Sequence, residues 1–390
     1  MSEFIESFAT QQLLPPWEAE NAQFWGFVVA MSERRIAQYL EAYFNGPYPD
    51  YAPFYYTPVP DAHYGLLSAV AFKKVASLNK RTASRLGNTG VAWDHLQHTE
   101  VYLVFPALRY PRSPDNLLTA EPTLVWIEPF IFSDNDSVVF SSREIWGSDM
   151  YLGSIARPVG GKPHQLHLDL GMMGFKTFNP RSSSELLSVL HLETHGDSSE
   201  GVLEILKAKP ELKTFLGILG GSAAFSDLLP EGLGPAPYAG GTELNNLKQF
   251  RDCFDMRTAI YRAIVASTTT HSDVANIVLF DASKVEIDFM WSDSIGDLLK
   301  GLLDLERPLT GGPPAAHAGA AARGPQLYES PSYVGPPPDH FPRPLPVTPN
   351  QMDWDMNSVS VPAEFAFSFS SKARFEVTGT LHTYGQTPGV

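Results

Sequence analysis

Arg143 and Glu144 stand side by side in the run Val138-Val139-Phe140-Ser141-Ser142-Arg143-Glu144-Ile145-Trp146-Gly147-Ser148-Asp149-Met150-Tyr151-Leu152-Gly153. Val138 to Phe140 are β-formers and read as a strand carrying the pair. On a strand the two charges alternate faces, so only one of them points inward. An inward arginine can hold a substrate carboxylate through two parallel hydrogen bonds; the competing role is structural ion pairing. Glu100, in His98-Thr99-Glu100, is a candidate general acid or base if burial raises its pKa, or else a strand-end carboxylate in water. Lys73 and Lys74 are neighbours in a β-compatible run, so one of them faces inward. A desolvated lysine there can attack a carbonyl. The alternative is two solvated lysines, because lysine is rarely buried without a partner.

Two groups have metal-ligand types at short spacing: His95-x-x-His98-x-Glu100 and His164-x-x-His167-x-Asp169. Histidine and carboxylate at i, i+2 share a strand face. Such pairs also arise by chance, and we read them as loop and strand-end histidines, with no metal and no other cofactor expected. His191 and His195 are weaker candidates. Gly217 to Gly221 lacks the lysine of a phosphate-binding loop. Cys253 lies in a helix-like run and reads as inert core.

The elements that must position these residues are mainly strands. His63–Leu78, His98–Pro106, Glu121–Phe132, Leu186–Glu193, Ala275–Phe280 and Lys284–Met290 all read as β. Gln165–Leu170 and Met172–Phe178 read as two short strands around Gly171. The Tyr- and Pro-rich stretch from Pro47 to Pro60 reads as coil with an edge strand. Short polar turns between successive strands favour antiparallel pairing. Ser32 is a candidate N-cap for a helix bearing Ile36, Tyr39, Leu40, Tyr43 and Phe44, stopped by Gly46-Pro47. Glu200–Leu219 reads helical with a break at Lys209-Pro210, Leu244–Ala266 helical in its first half and β-compatible around Tyr261 to Val265, and Ser294–Leu305 as a short helix. From Arg307 to Pro349 the Pro/Gly composition cannot bury enough to fold alone. Val359–Phe369 and Arg374–His382 read as a terminal hairpin.

The run from Arg143 to Gly153 resembles the signature of the acetoacetate decarboxylase family. There an Arg-Glu pair leads through a short turn to Pro-Lys-Lys-Leu-Gly, whose first lysine forms the Schiff base. Arg143, Glu144, Leu152 and Gly153 keep the pattern, but Asp149-Met150-Tyr151 replaces Pro-Lys-Lys. By the resemblance, Met150 stands where the nucleophilic lysine would be. His98-Thr99-Glu100 resembles a family strand whose glutamate lines the pocket. Met172-Met173-Gly174-Phe175-Lys176 and Phe280-Asp281-Ala282-Ser283-Lys284-Val285 resemble two further family strands. The resemblance runs in order from about residue 20 to 305. It implies an α+β fold, predominantly antiparallel, closed into a barrel or cone around a buried apolar cavity, with a few peripheral helices. The domains expected are 1–306 with an insertion at about 200–245, an arm at 307–349, and a hairpin at 350–390 packed on the body.

The resemblance implies catalytic roles for Glu100, Arg143 and Glu144, with Met150 at the lysine position and Lys73 as a possible relocated lysine. A methionine forms no imine, so a conventional Schiff-base decarboxylase is not expected. What remains is a decarboxylase-like enzyme acting on a small keto or hydroxy acid by another route, or a non-catalytic relative that binds a small acid or serves as a scaffold.

The 390 residues are 43% hydrophobic and 18% charged, a globular balance. A net charge of −15 argues against nucleic-acid partners and against anionic membranes. Neither a signal peptide nor an apolar run of spanning length is read. One cysteine forms no internal disulfide and suits a reducing compartment. A cytoplasmic protein with a small-molecule acid as partner, and a candidate homo-oligomer, is the expectation.

Overall fold

Phe24 to Val29 are all buried in strand β1 (Trp17–Ala30). A strand covered on both faces must lie between two layers, and its residues lose the apolar–polar alternation of a half-exposed sheet. The computed structural model shows those layers. It describes residues 14–45, 53–79, 95–112, 121–156, 165–174, 184–221, 240–251, 259–291 and 357–384.

β1 pairs with β3 (Tyr64–Ser77) and with β14 (Ala363–Tyr384), both antiparallel. β3 pairs with β4 (Leu96–Pro111), and β4 with β5 (Thr123–Ser133). β5 lies parallel to β10 (Gly240–Arg251), which pairs with β11 (Ala259–Phe280). β11 returns to β14, so these strands close a ring. Closure pairs the backbone groups that an open edge would leave exposed. β2 (Phe54–Pro58) adds to β4, and β6 (Met150–Leu152) adds in parallel to β5. A second, antiparallel sheet runs β13 (Asn357–Ser360), β12 (Val285–Trp291), β9 (Glu185–Thr194), β8 (His167–Gly174), β7 (Ser154–Ile155).

Two cores follow. The inner one holds Trp17, Phe24, Leu66, Val70, Trp126, Met150, Phe365, Phe367 and Phe369. Gly26 admits the Phe367 ring, since a Cβ there would sit 2.5 Å from it. The outer core joins Trp25, Phe27, Leu103 and Phe130 of the ring to Leu168, Leu190, Ile287 and Phe289 of the second sheet. Helix α1 (Glu33–Leu40) and its π-helical continuation Glu41–Asn45 add Ile36, Leu40 and Phe44. α2 (Asp136–Ser141) precedes β6, and α3 (Val202–Ala208) and α4 (Leu212–Gly221) follow β9. Phe215 of α4 packs on Tyr64 and Trp126, which ties the helix to the inner core.

A polar staple secures the parallel junction. Arg109 donates to Glu243 and, at 2.9 Å, to Asn245; Tyr56 donates to the same Asn245 at 3.0 Å. Asn45 holds the Tyr56 backbone through two 2.8 Å bonds.

The fold class is the one expected: mostly antiparallel β closed on itself, with a few helices. Four local expectations are corrected. Val138 to Glu144 is not a strand; α2 and a π-helical turn, Ser142–Trp146, occupy it. Leu244 to Arg251 is strand β10 and not helix, because tertiary pairing on both sides overrides its local propensity. Residues 363–384 form one 22-residue strand in the ring, not a hairpin. The two short strands expected around Gly171 are one strand, β8, over His167–Gly174, with a register shift at Gly171, and residues 175–178 lie outside the described residues. The arm at 307–349 and the helix read at Ser294–Leu305 lie outside the described residues. Among the described residues no helix is long and apolar enough to cross a membrane.

Candidate functional site

Alternate residues of β4, namely His98, Glu100, Tyr102 and Val104, face one way and line a cavity inside the ring. β5 contributes Trp126, Glu128 and Ile131. Its inward phase is kept by a bulge. Leu103 and Phe105 of β4 face Phe130 and Ile127, so β5 carries an extra residue at Glu128-Pro129. Pro129 has no N–H to lose at such an irregularity, and the bulge brings Ile131 to the inner side after Trp126 and Glu128.

The floor comes from the segment after β5. The Asn135 side chain accepts from the Val138 N–H at 3.2 Å and caps α2, burying Val138 and Val139 while Phe140 stays exposed. The π-helical turn ends at Gly147, whose φ of 72° is left-handed. A Cβ there would lie 2.6 Å from Lys248 Cβ and 3.0 Å from its backbone, so glycine is required twice over. The reversal brings Trp146, Ser148 and Met150 to the cavity wall. Met150 is 2% exposed, its strand paired at Ile131.

The cavity measures about 160 Å³ and is mostly apolar, with further polar side chains from Ser142, Ser267, Thr269 and His271. Neither lysine nor arginine lines it among the described residues. Burial pushes the Glu128 carboxyl up to about 8, with the nearby Glu100 charge adding to the effect and a hydrogen bond from Ser148 opposing it. Burial pushes His271 down to about 4, so that ring is neutral at physiological pH. His98 Nε2 lies 3.1 Å from Glu100 Oε1. His98 Nδ1, Glu128 Oε1 and Trp146 Nε1 are buried without a protein partner, and all three belong to lining residues. Orphaned buried groups of this kind cost about 1–3 kcal/mol each unless a ligand or water meets them.

The residues singled out in the sequence divide. Glu100 and Met150 line the cavity together. Arg143 and Glu144 do not: both are exposed on the turn outside it. Arg143 donates to the Met150 carbonyl at 3.2 Å and lies over the Tyr151 ring, so it braces the strand that carries Met150. The Glu144 carbonyl accepts from Lys248. Lys73 is exposed, and Lys74 pairs with Glu20 at 2.9 Å on the outer surface. Neither lysine enters the cavity. Glu128, Ser148 and Tyr102 were not singled out. The signal was a lone glutamate in Val125-Trp126-Ile127-Glu128-Pro129-Phe130, a charge placed in a run otherwise fit only for burial.

No family model and no curated protein matches this sequence. Solved structures similar to it include the enduracididine biosynthesis enzyme MppR with HEPES buffer bound, at 12% identity and TM-score 0.45, over 97% of this chain and 92% of that one. Acetoacetate decarboxylase from Legionella pneumophila subsp. pneumophila str. Philadelphia 1 is similar at 9% identity and TM-score 0.47, over 98% and 94%. A further acetoacetate decarboxylase structure is similar at 10% identity and TM-score 0.42, over 95% and 92%. At these values the chemistry rests on the cavity's own residues.

Proposed function

We propose that this is an acetoacetate decarboxylase-like protein whose ring cavity binds a small, largely apolar, oxygen-bearing molecule without forming an imine. The observation that carries this is the polar content of the cavity: two carboxyls, one of them raised to about 8 by burial, and no lysine or arginine among the described lining residues. A protonated Glu128 donates to a carbonyl or hydroxyl oxygen. An ionised acid finds no cation to offset its desolvation there, so a ketone, an alcohol or the un-ionised form of a short acid is favoured. A cavity near 150 Å³ accepts a benzene-sized ligand, which sets the size class. Met150 supplies apolar contact where an amine would be needed for Schiff-base chemistry.

The test is titration of the protein with cyclohexanone, methylcyclohexane and cyclohexanecarboxylate at pH 6.5, followed by calorimetry or ligand-observed NMR. The ketone should bind more tightly than the hydrocarbon, and the carboxylate least. Glu128→Gln, which still donates a hydrogen bond, should retain ketone binding, whereas Glu128→Ala should weaken it about 10-fold, the loss of one buried hydrogen bond. Tightest binding by the carboxylate would overturn the reading and favour an acid-binding or catalytic site.

A further inference from the structure

The outward face of the second sheet carries a second concentration of ligating groups, unconnected with the cavity. Along β8, β9 and β12 buried and solvent-facing residues alternate: Leu168, Leu170, Leu190, Leu192, Ile287 and Phe289 point into the outer core. The residues between them share the other face. Strand register sets them in two rows. Asp169, His191 and Asp288 lie opposite one another across the strands, and beside them His167, Glu193 and Glu286 do the same.

The side chains converge. His191 Nδ1 is 2.7 Å from Asp169 Oδ1, and His167 Nε2 is 3.5 Å from Asp169 Oδ2. Glu193 Oε2 lies 3.5 Å from His167 Nδ1 and 3.5 Å from His191 Nε2. The two imidazoles are 5.2 Å apart at 75°. His167, Asp169 and His191 each offer one ligand atom, and these atoms lie within 4.8 Å of one another. Ligands of one tetrahedral zinc ion, bound at about 2.0–2.2 Å, sit roughly 3.3 Å apart. Closing the site from the present geometry therefore needs rotamer adjustments of side chains on paired strands and no backbone rearrangement.

Charge points the same way. Glu193 and Glu286 are directly opposite on neighbouring strands, a like-charge pairing that destabilises a sheet unless a cation intervenes. His195 Nε2 reaches both, at 3.7 and 3.6 Å, but is charged only when protonated. No lysine or arginine forms an ion pair with Asp169, Glu193 or Glu286 among the described residues.

We propose that His167, Asp169 and His191 form a binding site for a divalent late first-row transition ion such as zinc, with Glu193 beside it as a further carboxylate. Imidazole and carboxylate donors suit zinc, nickel, cobalt and copper in preference to calcium or magnesium, which take oxygen ligands. The ion clips β8 to β9 and neutralises the carboxylate rows. The outward face leaves the remaining coordination positions to water.

The test uses the full-length chain stripped of metal with a chelator and then titrated with zinc chloride in a calorimeter. One equivalent should bind with a Kd in the micromolar range or below, and thermal unfolding should shift upward in excess zinc. Cobalt(II) should give the visible bands of a four- or five-coordinate centre. His167→Ala and His191→Ala should each weaken zinc binding at least ~10-fold and abolish the thermal shift. Asp169→Asn, which keeps the side-chain shape, should weaken it in the same sense. His63→Ala, a histidine that faces Glu33 and belongs to neither ligand group, should leave binding unchanged. Failure of the metal-stripped protein to bind zinc would overturn the proposal. So would unaltered affinity in the His167, His191 and Asp169 variants, or an equal loss in His63→Ala.

Discussion

Histidine and carboxylate meet twice in this molecule, inside the ring and on the outer face of the second sheet, and the two settings treat the same groups in opposite ways. Glu100 and Glu128 share an apolar cavity in which burial pushes Glu128 up to about 8. Asp169, Glu193 and Glu286 share a wet surface on which a histidine reaches each of them, His191 to Asp169, His167 to Glu193 and His195 to Glu286. Glu128 in the first setting is a neutral donor near neutral pH. In the second a carboxyl is a charge looking for a cation. The difference lies in what surrounds the group and not in residue type, and the pattern His-x-Glu or His-x-Asp occurs in both settings, at His98-x-Glu100 and at His167-x-Asp169.

The largest expected effect breaks the interior half of the comparison. The folded protein holds a proton on Glu128 up to about pH 8, whereas the unfolded chain releases it near 4.5. Between those values the folded state binds the extra proton, so Glu128 makes stability fall as pH rises and level off above about 8. Glu128→Gln removes that slope, and should be more stable than the parent at pH 8 by on the order of 4 kcal/mol. Denaturant unfolding from pH 5 to 9 measures it; parallel curves for the two proteins would show that Glu128 is ionised throughout.

Next in size is Met150→Lys. It places an ammonium in a cavity lined by Glu100 and Glu128 and beside Asp149, and such an ammonium draws the proton off Glu128 and is itself held protonated by the carboxylate so formed. The variant should lose about 2–4 kcal/mol, since it exchanges buried methionine packing for a buried charge. It should also give little imine with acetoacetate on borohydride reduction. Combining Met150→Lys with Glu128→Gln should give more imine, and so should Asp149→Pro and Tyr151→Lys added to Met150→Lys. A high yield from the single variant would mean that the cavity lowers a lysine pKa after all.

Smallest is the change on the outer face. Glu286→Gln removes one of two facing carboxylates in water, and should raise metal-free stability by only a few tenths of a kcal/mol. A loss above about 1 kcal/mol would show that the surface row is organised as tightly as the interior.

How much of this was legible in the sequence depended on whether local pattern or long-range closure decided the outcome. β3, β4, β5 and β9 were readable because their β-branched and aromatic runs are bounded by turn residues. α3 and α4 were readable from a helix-compatible run broken at Lys209-Pro210. β10 was not, since Leu244 to Arg251 acquires strand geometry only between β5 and β11. Nor was the single span of β14, whose polar middle from Ser370 to Lys372 looks like a turn until β1 and β11 pair with it on either side. Within the site, Glu100 and Met150 were legible. Arg143 and Glu144 were placed on a strand because Val138-Val139-Phe140 favours one, yet Asn135 as N-cap and Gly147 as C′ residue make a helix there. Glu128 was missed because the apolar run around it reads as uniformly buried, although alternation with Trp126 puts it on the inner side.

The central claim is that the cavity works without an imine. Borohydride reduction of the wild-type protein in the presence of acetoacetate, followed by peptide mapping, tests it most directly. The expected result is no reduced adduct above the background given by surface lysines without the keto acid. A stoichiometric adduct on Lys73, or on Lys248, whose amine is half-buried with its pKa lowered by desolvation next to the Glu144 carbonyl, would contradict the claim and make the protein a Schiff-base enzyme with a relocated lysine.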